Sequence, residues 1–63
     1  MTIAEKIKYT RKTLHLTQEK FAILLGVSFS TVNRLEKGHA VPSFSTLESF
    51  NALCKEKGIR FDD

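Results

Sequence analysis

Hydroxyl side chains that can cap a helix stand ahead of four successive apolar-periodic segments in this chain, and three of those segments run into a glycine. Thr2, Thr17, Ser28 and Ser43 are the starts, and Gly26, Gly38 and Gly58 are the stops. Ser and Thr satisfy the orphan N–H groups of a first helical turn, and glycine takes the left-handed conformation that commonly closes a last one. Four such segments fill nearly all of 63 residues, so the chain is expected to be a single all-α domain. A domain of this length buries only about 60% of the surface its unfolded chain exposes. With Cys54 as the one cysteine, neither an internal disulfide nor a Cys-rich zinc site can supplement it, and His15 and His39 lie far apart. Stability must come from helix packing, from a second subunit, or from both.

The spacing of apolar residues sets the elements. Ile3, Ile7, Thr10 and Leu14 form one helical stripe, predicting helix 1 over about residues 3–14, with Glu5 where the dipole favours an anion. His15 then takes the left-handed position that is usually glycine. Phe21, Ala22 and Leu25 share a face of helix 2, about 18–25, and Val32 with Leu35 anchor helix 3, about 29–37. Pro42 turns Val41 extended, and Ser43 caps helix 4, with Leu47, Phe50 and Cys54 as its stripe and Phe44 and Leu53 at the edges. Ser45 with Glu48 is an alternative cap. Phe44 and Phe50 are read as core. Ile59-Arg60-Phe61 alternates and reads as a short extended tail.

The informative unit is 18–37. Ala22 is small where two helices cross, Gly26 permits a sharp turn and Val27 plugs its inside. With Val32 and Leu35 turned inward, Ser30, Thr31, Asn33 and Arg34 must face out. Two short helices crossing steeply through a Gly-containing turn make a helix-turn-helix. Leu16-Thr17-Gln18-Glu19-Lys20-Phe21-Ala22-Ile23-Leu24-Leu25-Gly26-Val27-Ser28, with Thr31 to Gly38 and Pro42-Ser43, resembles the phage repressor and Cro (XRE-like) helix-turn-helix domains over about residues 3–57. That resemblance implies a compact repressor-like fold of four helices, or five, with the short extended tail. It also implies an operator-binding domain that acts as a dimer.

By position, the resemblance implies that Gln18 contacts a phosphate and braces the recognition helix. Ser28, Phe29, Ser30, Thr31, Asn33 and Arg34 would face DNA, with Lys37 near the backbone, and Arg11 of helix 1 would pair with Glu36. His15, Phe29, Ile23 and Asn51 depart from the residues common in the family. Physically, a helix 3 of roughly 15 Å fits a major groove about 12 Å wide. Phe29 can make only apolar contact, best with a thymine methyl. Asn33, one turn on, can pair with adenine or reach a phosphate, and Arg34 can take guanine or a phosphate.

Charge agrees with a polyanionic partner. Residues 1–40 carry seven Lys and Arg against three Glu, a net +4, whereas 41–63 carry a net −1. No run is apolar enough to span a membrane, no signal-peptide core opens the chain, and one free thiol fits the reducing cytoplasm. No triad, Gly-rich phosphate loop or carboxylate pair is present, so no enzyme activity, cofactor or metal is expected. The expectation is a sequence-specific regulator of transcription on double-stranded DNA, a homodimer with Leu53, Ile59 and Phe61 at its interface. The alternative is an antitoxin-like module of the same fold whose main partner is a protein such as a toxin, docked on apolar surface at Ile23, Ile59 and Phe61.

Overall fold

All four predicted caps form. In the computed structural model, which describes residues 1–62, Thr2, Thr17, Ser28 and Ser43 have extended backbones. Each side chain accepts the N–H three residues on, from Glu5, Lys20, Thr31 and Thr46 respectively, at 3.1–3.2 Å. Glu5 also reaches back to the Thr2 N–H at 2.8 Å, completing a reciprocal capping box. The helices that follow are α1 (Ile3–Thr13), α2 (Gln18–Leu25), α3 (Phe29–Glu36) and α4 (Phe44–Lys57). No fifth helix and no strand occur among the described residues.

Helix ends differ slightly from the sequence expectation. α1 stops at Thr13 and α3 at Glu36, because Leu14 and Lys37 already serve as C-caps. His15 does take a left-handed backbone, with φ 56°. Gly26 does the same at φ 74°, and there the Val27 N–H returns to the Ala22 carbonyl at 3.0 Å. An added Cβ at Gly26 would meet nothing within 4 Å, so the backbone angle rather than crowding selects glycine.

The core gathers Ile7 from α1; Phe21, Ala22 and Leu25 from α2; Val32 and Leu35 from α3; and Phe50, Leu53 and Cys54 from α4. α2 packs on α3 and α4, and α1 packs on α3, within a body of 26 × 21 × 20 Å. Thr10 is fully buried, with its hydroxyl 3.8 Å from the Cys54 thiol, which gives the one polar group of that stripe a weak partner.

Two placements on α4 correct the sequence reading. Phe44 is not core but 78% exposed, because the first helical turn projects past the end of the apolar interior. Leu53 is only 8% exposed. Phe50, Leu53 and Cys54 form a stripe broad enough to bury it within one chain, so the expectation that a monomer leaves Leu53 uncovered fails. Ile59 and Phe61 are half-buried against the core. The Phe61 ring meets Tyr9 edge-on at 5.8 Å and lies under Lys6 Nζ at 5.5 Å, which folds the tail back along α1.

Candidate nucleic-acid interface

α3 buries Val32 and Leu35 and turns its other side outward. Ser28 caps its start, with hydroxyl neighbours Thr31 at 2.9 Å and Ser30 at 3.2 Å. Phe29 opens the helix at 50% exposure, and Ser30 and Arg34 are exposed. Thr31 and Asn33 are half-buried. Arg34 leans back over the following loop, with a guanidinium nitrogen 3.5 Å from the His39 carbonyl. Lys37 is exposed at the C-cap, where its N–H donates to the Asn33 carbonyl. With eight residues, α3 is about 12 Å long rather than the 15 Å expected, still a fair match to the major groove.

The face is held by side chains from three helices. Arg11 Nε donates to Glu36 Oε2 at 2.6 Å and its terminal nitrogen to Oε1 at 3.0 Å, a two-bonded fork. The pair is largely removed from water, at 14% and 4% side-chain exposure. The hydrogen bond that Arg11 donates to Glu36 raises the Arg11 pKa above its ordinary value, against the opposing effect of burial and helped by the carboxylate's charge. The other Arg11 nitrogen donates to the Leu16 carbonyl at 3.0 Å, tying the α1–α2 turn into the same cluster.

Glu36 also accepts from Gln18 Nε2 at 3.1 Å, and Gln18 Oε1 accepts from Asn33 Nδ2 at 3.3 Å. Arg11 and Glu36 are therefore paired, and Gln18 bonds to both Glu36 and Asn33 of α3. The Gln18–Glu36 and Gln18–Asn33 links and the Leu16 carbonyl have no sequence signal. They arise only where α2 crosses α3, and no periodicity along either helix encodes them.

The structure brings together Gln18, Ser28, Phe29, Ser30, Thr31, Asn33, Arg34 and Lys37 along α3 and the start of α2. Leu53, Ile59 and Phe61 lie with α4 and the tail instead. Among the described residues no helix is long and apolar enough to cross a membrane, and no cluster of side chains could hold a metal ion.

The pattern of one protein family, described as helix-turn-helix, matches residues 7–58. The chain is also 34% identical over 65 residues to the HTH-type transcriptional regulator DicA of Escherichia coli (strain K12). That alignment covers all of this chain and 48% of the relative, so the chain spans about half the relative's length. No solved structure gives a significant match.

Proposed function

The chain belongs to the helix-turn-helix family, XRE-like in type, and from that membership we propose that it regulates transcription by binding double-stranded DNA sequence-specifically. α3 lies in the major groove. Phe29 and Asn33 meet base edges, Arg34 takes guanine or a phosphate, and Gln18, Ser28, Ser30, Thr31 and Lys37 meet the backbone. The carrying observation is the fixed polar face of α3, held to α1 and α2 by the Arg11–Glu36–Gln18–Asn33 cluster. A side chain that reads bases must be held before DNA arrives, since ordering it on binding subtracts from affinity. Two copies would address half-sites about one turn of DNA apart. Leu53 lies inside the fold, so Ile59 and Phe61 are what remains of the apolar contact anticipated there.

Phosphate contacts supply most of the affinity and base contacts the selectivity. Binding to random duplex should therefore weaken steeply with salt, and selection from a randomised library should return one preferred sequence. Indifference to both salt and sequence would sink the proposal.

A second reading, a protein-binding module, draws on Ile23. This residue is 79% exposed on α2, next to the half-exposed Leu24. Ile23→Lys should leave DNA selection intact if DNA is the main partner.

A further inference from the structure

We propose that Arg11, Glu36 and Gln18 form a one-way hydrogen-bond chain that fixes which end of the Asn33 carboxamide faces outward, and thereby makes Asn33 an adenine-selecting residue. The inference rests on the DNA-reading function proposed above and assigns one base of the operator within it.

The direction of the chain follows from chemistry at its first link. Arg11 can only donate, and the ionised Glu36 carboxylate can only accept. Both Glu36 oxygens take Arg11 protons, at 2.6 and 3.0 Å. Whatever else touches Glu36 Oε1 must be a donor, so the Gln18 atom 3.1 Å away is its NH2 group. The other end of Gln18 is then an acceptor, and the Asn33 atom 3.3 Å from it must be the NH2 group. A carboxamide is otherwise ambiguous, since its two ends have nearly the same shape. Here Gln18 is decided by its contact with the charge pair and Asn33 by its contact with Gln18: reversing Gln18 would set its oxygen against a Glu36 oxygen, and reversing Asn33 alone would set its oxygen against that of Gln18.

Asn33 Oδ1 is consequently the end left over. No buried side-chain oxygen or nitrogen among the described residues lacks a partner, and the link to Gln18 is the one side-chain bond of Asn33. Its Oδ1 therefore keeps access to solvent. The outward edge of Asn33 offers an acceptor oxygen and, beside it, the second N–H of the amide. Adenine presents the complement, an N6 donor next to the N7 acceptor. Guanine presents two acceptors, thymine an acceptor and a methyl group, and cytosine a donor with no second hydrogen-bonding site on its own ring. A phosphate offers acceptors only and cannot use Oδ1. Arg11, Glu36 and Gln18 are positioning residues, and Asn33 is the reader.

The test is selection from a randomised duplex library by the wild-type protein and three variants, each first shown to unfold cooperatively. Asn33→Ala locates the base that Asn33 reads. At that position the wild type should favour adenine by roughly 5- to 150-fold, the range of one good two-bonded contact. The double variant Arg11→Met, Glu36→Met keeps Gln18 and Asn33 but frees both amides to flip, and its preference there should collapse to within about 2-fold. If that variant does not fold, Gln18→Met cuts the chain one link later and should give the same collapse at that position. A wild-type adenine preference that survives the cut overturns the chain while leaving DNA reading in place. Selection of a sequence with no adenine at the Asn33 position overturns the assignment of the base. A library that yields no preferred sequence overturns the DNA-reading function and this inference with it.

Discussion

The outward side of α3 and the seam between α1, α4 and the tail are built from opposite materials. The first is held by short directional bonds: Arg11 forked onto Glu36, then Gln18, then Asn33. The second is held by shape. A groove of about 460 Å³ there has an apolar floor that includes Ile3, Phe50 and Phe61 and a rim that includes Lys6, Lys55 and Arg60, and the tail is kept in place by ring contacts. Apolar packing tolerates small displacements at little cost, whereas a hydrogen bond weakens steeply away from its angle. A face that must keep its atoms in register is therefore well served by polar links, and a seam that must only close is served by rings and aliphatic side chains.

The largest effect should come where both regions share one support. Phe21 is fully buried in the core on which both regions rest. Phe21→Ala removes about 3–5 kcal/mol, and a small domain holds little more than about 5 in total. What remains, about 0–2 kcal/mol, should leave a substantial unfolded population near room temperature and a much lowered midpoint by circular dichroism. Retention of a cooperative transition with an unchanged midpoint would mean that the two regions are stabilised independently.

Next in size is the charge pair. Arg11→Met strands the buried Glu36 carboxylate and should cost about 3 kcal/mol, more than a surface pair is worth, because the remaining charge loses its partner out of water. Replacing both partners with Met should restore much of the loss, and denaturant unfolding of the four species gives the coupling directly. Coupling near zero would place the pair with ordinary surface charges. Its pH dependence is one-sided. Glu36 raises the Arg11 pKa in the folded state, so while the Glu36 carboxylate is ionised this contribution is present below the unfolded value and fades only as pH rises through the higher folded one. Between about pH 6 and 9 the Arg11 contribution should therefore be flat.

The tail ranks third. Phe61 is half-buried, so Phe61→Ala should cost about 0.8–1.5 kcal/mol, half the value of a fully buried large apolar side chain. If its partners are Tyr9 and Lys6 of the same chain, the loss is independent of protein concentration. A loss that grows on concentration would move Phe61 into a subunit interface.

What the sequence disclosed divides along the same line. Caps and stops are local, so Thr17, Ser28, Ser43, Gly26 and Gly58 could be placed from their neighbours alone. The resemblance to known domains supplied Arg11 with Glu36, since charge pairing across 25 residues has no local signature. Nothing supplied the Gln18–Asn33 link, which depends on how deeply α2 crosses α3. Phe44 and Leu53 were misplaced for one reason. Helical spacing tells which residues share a stripe, but not where along the stripe the core ends or how wide it is.

The smallest effect has the opposite sign and lies at the joint of the polar cluster. His15 is the one residue other than glycine with positive φ among those described, and it directly precedes Leu16, whose carbonyl receives Arg11. A left-handed backbone costs an ordinary side chain about 1–2 kcal/mol, somewhat less for His, and glycine escapes that cost. Glycine also loses more freedom on folding, which returns about 0.5–1 kcal/mol. His15→Gly should therefore stabilise the domain by about 0.5 kcal/mol, raising its melting temperature by roughly 2–4 °C. The turn is pinned on both sides, by the His15 N–H on the Lys12 carbonyl at 3.0 Å and the Leu16 N–H on the Arg11 carbonyl at 3.1 Å. Relief of the strain should then leave the Arg11–Leu16 bond, and DNA selection with it, unchanged. A variant that melts higher but selects a broader set of sequences would show that the strained turn helps to aim the cluster. A variant that melts lower would show that the His15 side chain contributes contacts worth more than the backbone strain it carries.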